Sequence, residues 1–186
     1  MYICTRKNRV SKNTYLRKEF IIQFSGLALG NHDFNFEIKD AFFNEFEFVD
    51  IESGCINLNM TMEKSERMLI LDFNFDGNVT VTCDRCGDNF EMPISGTQKI
   101  VVKFGEQFEE QYDDVIVIPV SEHSIDIFQM AYEMISLSFP IRKVHPDDKN
   151  GNTTCDIEVL KRIEELTPNE DVDPRWNKLL NIDFEN

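Results

Sequence analysis

Histidine is scarce in this sequence, and the residue patterns that mark several common enzyme classes are missing from it. The 186 residues include only three histidines, His32, His123 and His145. Histidine is the side chain used most often in general acid–base catalysis. There is no phosphate-binding Gly-x-x-x-x-Gly-Lys-Ser/Thr loop, no Gly-x-Ser-x-Gly elbow and no dinucleotide-binding glycine motif. We therefore expect a protein that binds partners, is not an enzyme and takes no small-molecule substrate.

Long apolar runs are also lacking. No stretch approaches the roughly 20 apolar residues that a membrane-spanning helix needs. Residues 1–10 are polar and basic, and the apolar core of a secretory signal does not follow them. These absences predict a cytoplasmic protein that does not enter a membrane.

Charge is plentiful but unevenly distributed. The formal net charge is −15, yet residues 1–18 contain six bases and no acid. The rest of the chain holds 13 bases against 34 acids, so it should repel nucleic acid unless its bases cluster on one face. We predict a basic flexible tail over residues 1–18 and a single domain over residues 19–166. Residues 167–186 are predicted to form an acidic linker and a short helix that begins at Pro174.

Alternation of apolar and polar residues predicts strands through the middle of the chain. The sixteen phenylalanines agree with this, because aromatic residues favour strands. Asp76-Gly77 is a strong signal for a two-residue hairpin turn. The segments concerned are 55–62, 67–75, 78–82, 90–94 and 99–104. Together they predict an antiparallel meander or a partly closed barrel.

Two helices are predicted after the strands. Residues 124–139 are apolar on most sides, which is typical of a buried helix, and Ser124 is a candidate N-cap. Residues 156–166 form a second helix with Thr154 as its candidate cap. The predicted fold class is α+β, with one buried helix and short C-terminal helices.

The cysteines are arranged in a way that favours metal binding over disulfides. Their number is five, which is odd, and the expected cytoplasmic location is reducing. Cys83-x-x-Cys86 followed by glycine resembles a zinc knuckle, but one pair supplies only half of a tetrahedral site. His145 and Cys155 are the candidates for the other half. A site of three cysteines and one histidine would be closed and structural.

Two other interpretations of the pair remain open. The thiols could bind no metal and merely turn a hairpin. They could also form a redox pair, although such pairs usually lie at a helix N-terminus and this one lies between predicted strands. Zinc deaminase chemistry is excluded, because it needs a His-x-Glu element and the chain has none.

Several motifs resemble the YceD family of large ribosomal RNA accumulation proteins. Residues 83–90, Cys-Asp-Arg-Cys-Gly-Asp-Asn-Phe, resemble the family's Cys-x-Arg-Cys-Leu-x-x-Phe signature, with Gly87 in place of the leucine. Residues 138–145 resemble its Leu-Pro-x-x-x-x-His element, and Cys155 stands where a later cysteine often occurs. The likeness spans roughly residues 19–166, and the order of the motifs makes it more specific than any one of them.

This resemblance implies a non-enzymatic factor for large-subunit ribosomal RNA accumulation and ribosome assembly. Its partner would be ribosomal RNA or a basic large-subunit ribosomal protein. The candidate contact residues are Arg85, Arg142, Lys143 and Lys149, which would form one basic patch if the knuckle meets the loop after the apolar helix. The alternative is an acidic chaperone for a basic ribosomal protein, supported by the acidic loop at residues 106–114. A thiol-based redox protein is a further alternative.

Overall fold

A computed structural model describes residues 14–46, 51–106, 108–112 and 114–167 of the chain. Its contacts divide the protein into two units. The first holds the chain up to Thr82 together with Asn89–Lys143, and the second holds Cys83–Asp88 and the chain from Val144 onward. Most of the predicted basic tail, and the predicted linker and last helix beyond Thr167, lie outside the described residues. The domain boundaries at residues 19 and 166 therefore stay a prediction.

The first unit is built on a mixed sheet with the strand order β2-β3-β4-β5-β7-β6, beside a small sheet of β1 and β8. Strands β2 to β5 are antiparallel neighbours, and β7 joins β5 in parallel. The elements in chain order are α1 (Thr14–Glu19), β1 (Ile21–Gln23), β2 (Gly30–Ile38), α2 (Asp40–Phe43), β3 (Ile51–Lys64), β4 (Met68–Thr82), β5 (Asn89–Gly105), β6 (Glu109–Tyr112), β7 (Val115–Pro119), β8 (Ser124–Asp126) and α3 (Phe128–Leu137).

The pleat of the central strands explains why they form a half-buried meander. Every second side chain of β3 and β4 is buried, as Leu58 and Phe73 show, while neighbours such as Asn59 and Asn74 are exposed. The predicted α+β class and antiparallel meander are confirmed. The partly closed barrel is wrong, because β2 and β6 end the sheet on opposite sides and do not pair within the described ranges.

The hairpin predicted at Asp76-Gly77 is also wrong, because β4 runs through both residues without turning. Apolar side chains on both sides of Gly77 keep one alternation, so the strand stays in register with the core. Gly77 pairs with Ile56 on β3 and Ile94 on β5. A Cβ at Gly77 would lie 2.6 Å from the Ile56 Cα and would meet the Cys55 carbonyl oxygen. The absence of a side chain at Gly77 therefore allows β3 and β4 to approach closely, and the residue does not form a turn.

Gly77→Ala is expected to lower the free energy of unfolding by about 1–3 kcal/mol, because the added methyl group must push backbone atoms that cannot rotate away. Urea denaturation followed by circular dichroism measures the change. The matched control is Gly26→Ala, where nothing lies within 4 Å of the new Cβ. Equal midpoints for the two variants would contradict the close approach described for β3 and β4.

An aromatic cluster fills the core beside the sheet. The Phe42 ring lies 4.7 Å from Phe128 and 5.3 Å from Phe20, measured between ring centroids. Phe20 also stacks on Phe36 at 5.2 Å. Phe20 and Phe42 are at most 2% exposed. The cluster joins side chains from α2, β2 and α3, which are far apart in the sequence, so it fixes how these elements pack.

The apolar helix differs from its prediction in start and burial. Residues 124–126 form β8, whose Ile125 pairs with Ile22, and the helix begins at Phe128. The Asp126 carboxylate precedes the helix and accepts a hydrogen bond from the Phe128 N–H at 2.9 Å. Only one face is buried, while Leu137 is 81% exposed. The prediction of a helix covered on several sides is therefore not confirmed.

The described part of the second unit has one helix and almost no apolar interior. Helix α4 (Ile157–Leu166) is capped by Asp156, whose carboxylate accepts from the N–H groups of Glu158 and Val159, so the predicted Thr154 cap is wrong. No side chain of α4 is buried. The buried side chains of the described unit are those of Cys83, Cys86 and Cys155. Across both units, none of the described helices has the length and hydrophobicity needed to span a bilayer.

Candidate metal centre

The first half of the centre is a tight turn that carries two cysteines. The Cys83 N–H donates to the Asp88 carbonyl at 2.8 Å, and the Gly87 N–H donates to the Cys83 carbonyl at 2.9 Å. Gly87 has φ 81°, a left-handed conformation that favours glycine. The Arg85 N–H points at the Cys83 sulfur, 3.4 Å away. This geometry brings both thiols to the same side of the turn, as in a zinc knuckle.

The second half is a small loop that folds back on itself between His145 and Cys155. An isolated antiparallel bridge joins Asp147 to Thr153. The Asp148 carboxylate accepts from the backbone N–H groups of Asn150 and Asn152, both at 2.8 Å. Hydrogen bonds from the backbone and side chain of Asn152, and then from Asn150, hold the pKa of Asp148 below its ordinary value. The fold-back leaves the Cys155 sulfur 3.7 Å from the His145 Nδ1 atom.

The four candidate ligands lie close enough to hold a metal ion. The sulfur atoms of Cys83, Cys86 and Cys155 and a ring nitrogen of His145 all lie within 4.8 Å of one another. The Cys83 and Cys155 sulfurs are 3.8 Å apart, and Cys86 lies 3.4 Å from His145 Nδ1. Tetrahedral zinc with ordinary bond lengths would place two sulfurs about 3.8 Å apart, and a sulfur and nitrogen about 3.6 Å apart. The donor set and its spacing therefore fit a tetrahedral ion.

The electrostatics of the site differ between the two thiols of the pair. Burial raises the pKa of Cys83, but hydrogen bonds from the backbone of Cys86, Arg85 and His145, and from the His145 ring, outweigh it and bring the pKa to about 6. Burial raises the pKa of Cys86 above its ordinary value. Since the thiolate is the form that binds metal, the lowered pKa makes Cys83 the thiol of this pair that loses its proton more readily.

The predicted contact residues divide between the two units. Arg85 and Lys149 belong to the second unit, and Arg142 and Lys143 belong to the first. Arg142 and Lys149 are exposed, while Arg85 and Lys143 are half-buried. The Arg85 Nη1 atom donates to the Thr153 hydroxyl at 3.2 Å. That the four form one basic patch stays a prediction.

Two residues that shape the centre were missed by sequence reasoning. The Thr153 hydroxyl accepts from Arg85 and also from the Cys155 N–H at 3.2 Å, so it links the knuckle to the last ligand. Asp148 organises the loop that returns the chain to Cys155. The signal for Asp148 was present as Asp-Lys-Asn-Gly-Asn at residues 148–152, which is typical of an Asx turn. For Thr153 the sequence holds no comparable signal.

A comparison with protein-family models places this site in context. The model described as large ribosomal RNA subunit accumulation protein YceD matches residues 71–183. The chain belongs to the YceD family. The YceD match begins in β4 and includes all four candidate ligands. It covers residues 71–183 and not the predicted span of roughly 19–166, so the chain before β4 lies outside it. No curated protein and no solved structure matched the chain in the corresponding comparisons.

Proposed function

We propose that this YceD family member is a non-enzymatic factor that supports large-subunit ribosomal RNA accumulation and ribosome assembly in the cytoplasm. It would act by binding ribosomal RNA or a ribosomal protein. The observation that carries the proposal is the YceD family match, whose description concerns accumulation of this RNA. The absence of common catalytic motifs in the sequence supports the non-enzymatic part.

The proposed role of the four ligands is to hold one structural zinc ion. Thiolate and imidazole ligands suit zinc, and four protein ligands leave no coordination position for a substrate. Bound zinc would supply no reaction chemistry here and would act as a crosslink. It would tie the knuckle at residues 83–88 to the loop at residues 145–155, which has little apolar interior of its own. A redox role is less well supported, because the pair lies in a turn and not at a helix N-terminus.

The proposed contacts with RNA are two exposed basic side chains. One lies after the end of the apolar helix, and the other lies on the loop at residues 145–155. Arg142 and Lys149 are exposed and are available to phosphate groups. Arg85 fits this role less well, because its guanidinium group is half-buried and bonded to Thr153. Lys143 is also half-buried.

A second candidate function is a carrier for a basic ribosomal protein. The observation that favours it is the charge on the exposed face of strands β2 to β5, where acids outnumber bases. The acids of that face include Asp33, Glu37, Glu63, Asp72, Asp76 and Glu91, and its bases include Lys99 and Lys103. Lys99 is already paired with Asp72 at 3.3 Å. Such a surface attracts basic proteins and repels phosphate.

Sedimentation of tagged protein from lysate tests the first candidate. We expect the wild-type protein to co-migrate with large-subunit precursors at low salt and to leave them at high salt, because phosphate contacts weaken as salt rises. The double variant Arg142→Glu and Lys149→Glu should lose co-migration. Its binding to the precursors should also depend less on salt. The plot of the logarithm of the binding constant against the logarithm of salt concentration should become less steep by about one unit per lost contact.

The matched control for that experiment is Lys161→Glu with Arg162→Glu, which makes the same charge change at exposed positions of α4. Equal loss in both double variants would show a general charge effect and would reject the proposed contacts. Wild-type protein that migrates free of precursors in both salts would contradict the proposed stable association with the large subunit.

A further inference from the structure

Strand β2 forms one end of the large sheet. It pairs along nine residues with β3, from Gly30 opposite Lys64 to Ile38 opposite Ile56. No other described strand pairs with β2, and no hydrogen bond between its backbone and another described backbone group lies outside this pairing. An antiparallel strand sends about half of its N–H and carbonyl groups to each side. Among the described residues, the outer side of β2 is therefore a long row of backbone groups without a backbone partner, which is a template for another strand.

A cavity of about 470 Å³ lies at one end of this row. It is lined by the consecutive β2 residues Asn35, Phe36 and Glu37, together with side chains of α1, α2 and the chain beside them. Because successive strand residues point to opposite faces, a cavity that touches all three lies beside the strand. No β3 residue lines it. The cavity therefore lies on the side of β2 that β3 does not cover.

The walls of the cavity combine aromatic rings with carboxylates. Leu16, Phe36 and Ala41 provide accessible apolar surface, whereas Phe20 and Phe42 also line the cavity but are at most 2% exposed. Glu19 and Glu37 provide two acids. Lys39 supplies one cation and pairs with Glu37 at 2.8 Å. Arginine and lysine have an apolar stem and a charged end, and the stem packs on rings while the end stays with carboxylates and water. The cavity therefore fits a basic side chain better than an acidic one.

The charge around the outer edge of β2 also favours a ligand with basic side chains. Asp33 and Glu37 lie on the exposed face of β2, and Glu63 lies on the same face of β3. A nucleic acid strand laid along β2 would bring its phosphates close to these carboxylates, and repulsion would oppose it. A protein segment with lysine or arginine at alternate positions would place its cations near them.

We propose that the outer edge of β2 binds an extended, lysine- and arginine-rich protein segment. The segment adds as a further antiparallel or parallel strand, and one of its basic side chains enters the cavity beside Phe36. Backbone hydrogen bonds supply affinity and the cavity supplies selectivity, as in other cases of strand addition. The inference rests on the second candidate function, the carrier of a basic ribosomal protein, and it names the surface used.

Fluorescence anisotropy with the full-length protein tests strand addition directly. The probe is a labelled peptide of alternating arginine and threonine. Its control is the same peptide methylated on every backbone nitrogen, which keeps the charge and side chains but has no N–H donors. We expect the methylated peptide to bind at least about tenfold more weakly, which corresponds to about 1.4 kcal/mol. Equal binding of both peptides would show that charge attraction alone accounts for the interaction, and it would overturn the proposal.

Two variants test the cavity and the charge, each with a matched control. Ala41→Trp fills the cavity from an exposed position on α2, and Ser121→Trp adds the same bulk at an exposed turn. Glu37→Lys reverses a charge at the edge, and Glu66→Lys makes the same change at the exposed turn between β3 and β4. We expect the first member of each pair to weaken peptide binding about tenfold and the controls to stay within about twofold. Wild-type affinity in Ala41→Trp would overturn the proposal.

Competing occupants of the edge give different results. If mixed-sequence RNA binds the wild-type protein and loses binding in Ala41→Trp, the edge serves nucleic acid and the proposal fails. If the wild-type protein sediments as a dimer and Ala41→Trp as a monomer, the occupant is a second copy and the proposal also fails. Co-migration of wild-type protein with large-subunit precursors does not depend on the peptide assay. A negative peptide result beside positive co-migration therefore rejects this inference and leaves the proposed ribosomal function intact.

Discussion

Replacing Cys155 by serine is expected to abolish zinc binding and to unfold the second unit. In the described part of that unit the buried side chains are Cys83, Cys86 and Cys155, so burial of apolar surface contributes little to its stability. Structural zinc in small domains contributes about 10–16 kcal/mol of apparent binding free energy, and that energy is coupled to folding. A serine oxygen replaces neither the thiolate charge nor its affinity for zinc. Cys83→Ser is expected to act in the same way.

Metal analysis and spectroscopy measure this result. The wild-type protein should contain one zinc per chain, and its cobalt derivative should show the absorption of tetrahedral thiolate ligation. Cys155→Ser should lack both and should lose protection from proteolysis between residues 144 and 167. Cys55→Ser is the control, because Cys55 is an exposed cysteine on β3 outside the ligand set. A Cys155→Ser protein that keeps its protease resistance and lacks only a thiol-dependent activity would favour the redox interpretation.

Phe42→Ala is expected to lower the free energy of unfolding of the first unit by about 3–5 kcal/mol. The Phe42 ring is 1% exposed and has ring neighbours in Phe20, Phe43, Phe46 and Phe128, with centroid distances of 4.7–5.6 Å. Truncation removes these contacts and leaves a cavity that the strands beneath cannot close. Since the total stability of a domain is only about 5–15 kcal/mol, this single change should bring the unit close to unfolding.

Urea denaturation followed by far-ultraviolet circular dichroism measures the loss, with Phe108→Ala as the matched control. Phe108 is 57% exposed, so the same truncation there should cost less than about 0.5 kcal/mol. Denaturation midpoints that agree within error for the two variants would show that the aromatic cluster does not carry the stability assigned to it.

The strands and the Cys83-x-x-Cys86 pair were predictable because each rests on a local pattern. The alternation in β3 and β4 follows directly from a sheet with one covered face, so apolar spacing was sufficient evidence. The Cys83-x-x-Cys86 pair was recognisable because the turn geometry of a knuckle needs only the residues between its two thiols. His145 and Cys155 were candidates because both lie on or beside the polar loop that follows the apolar helix. The structure brings them within ligand distance of the pair.

The errors arose where a local signal competed with packing. Asp76-Gly77 has the composition of a hairpin turn, but the buried side chains before and after it keep β4 continuous. Gly77 instead allows the backbones of β3 and β4 to lie close together. Residues 124–126 could continue a helix by composition. They form β8 because β1 offers a pairing partner that lies about a hundred residues earlier in the chain.

The sequence alone therefore determined the α+β class, the antiparallel meander, the identity of the four candidate ligands and the resemblance to the YceD family. The class and the meander depend on residue types at short spacings. The ligand set and the resemblance depend on residue types and on the order of motifs along the chain, and a chain carries all of these whatever its packing. The tertiary structure decided the 3.8 Å separation of the Cys83 and Cys155 sulfurs, the bond from Arg85 to Thr153 and the cavity beside β2. These features depend on contacts between distant segments, and such contacts are set by the packing of the whole chain and not by any local pattern.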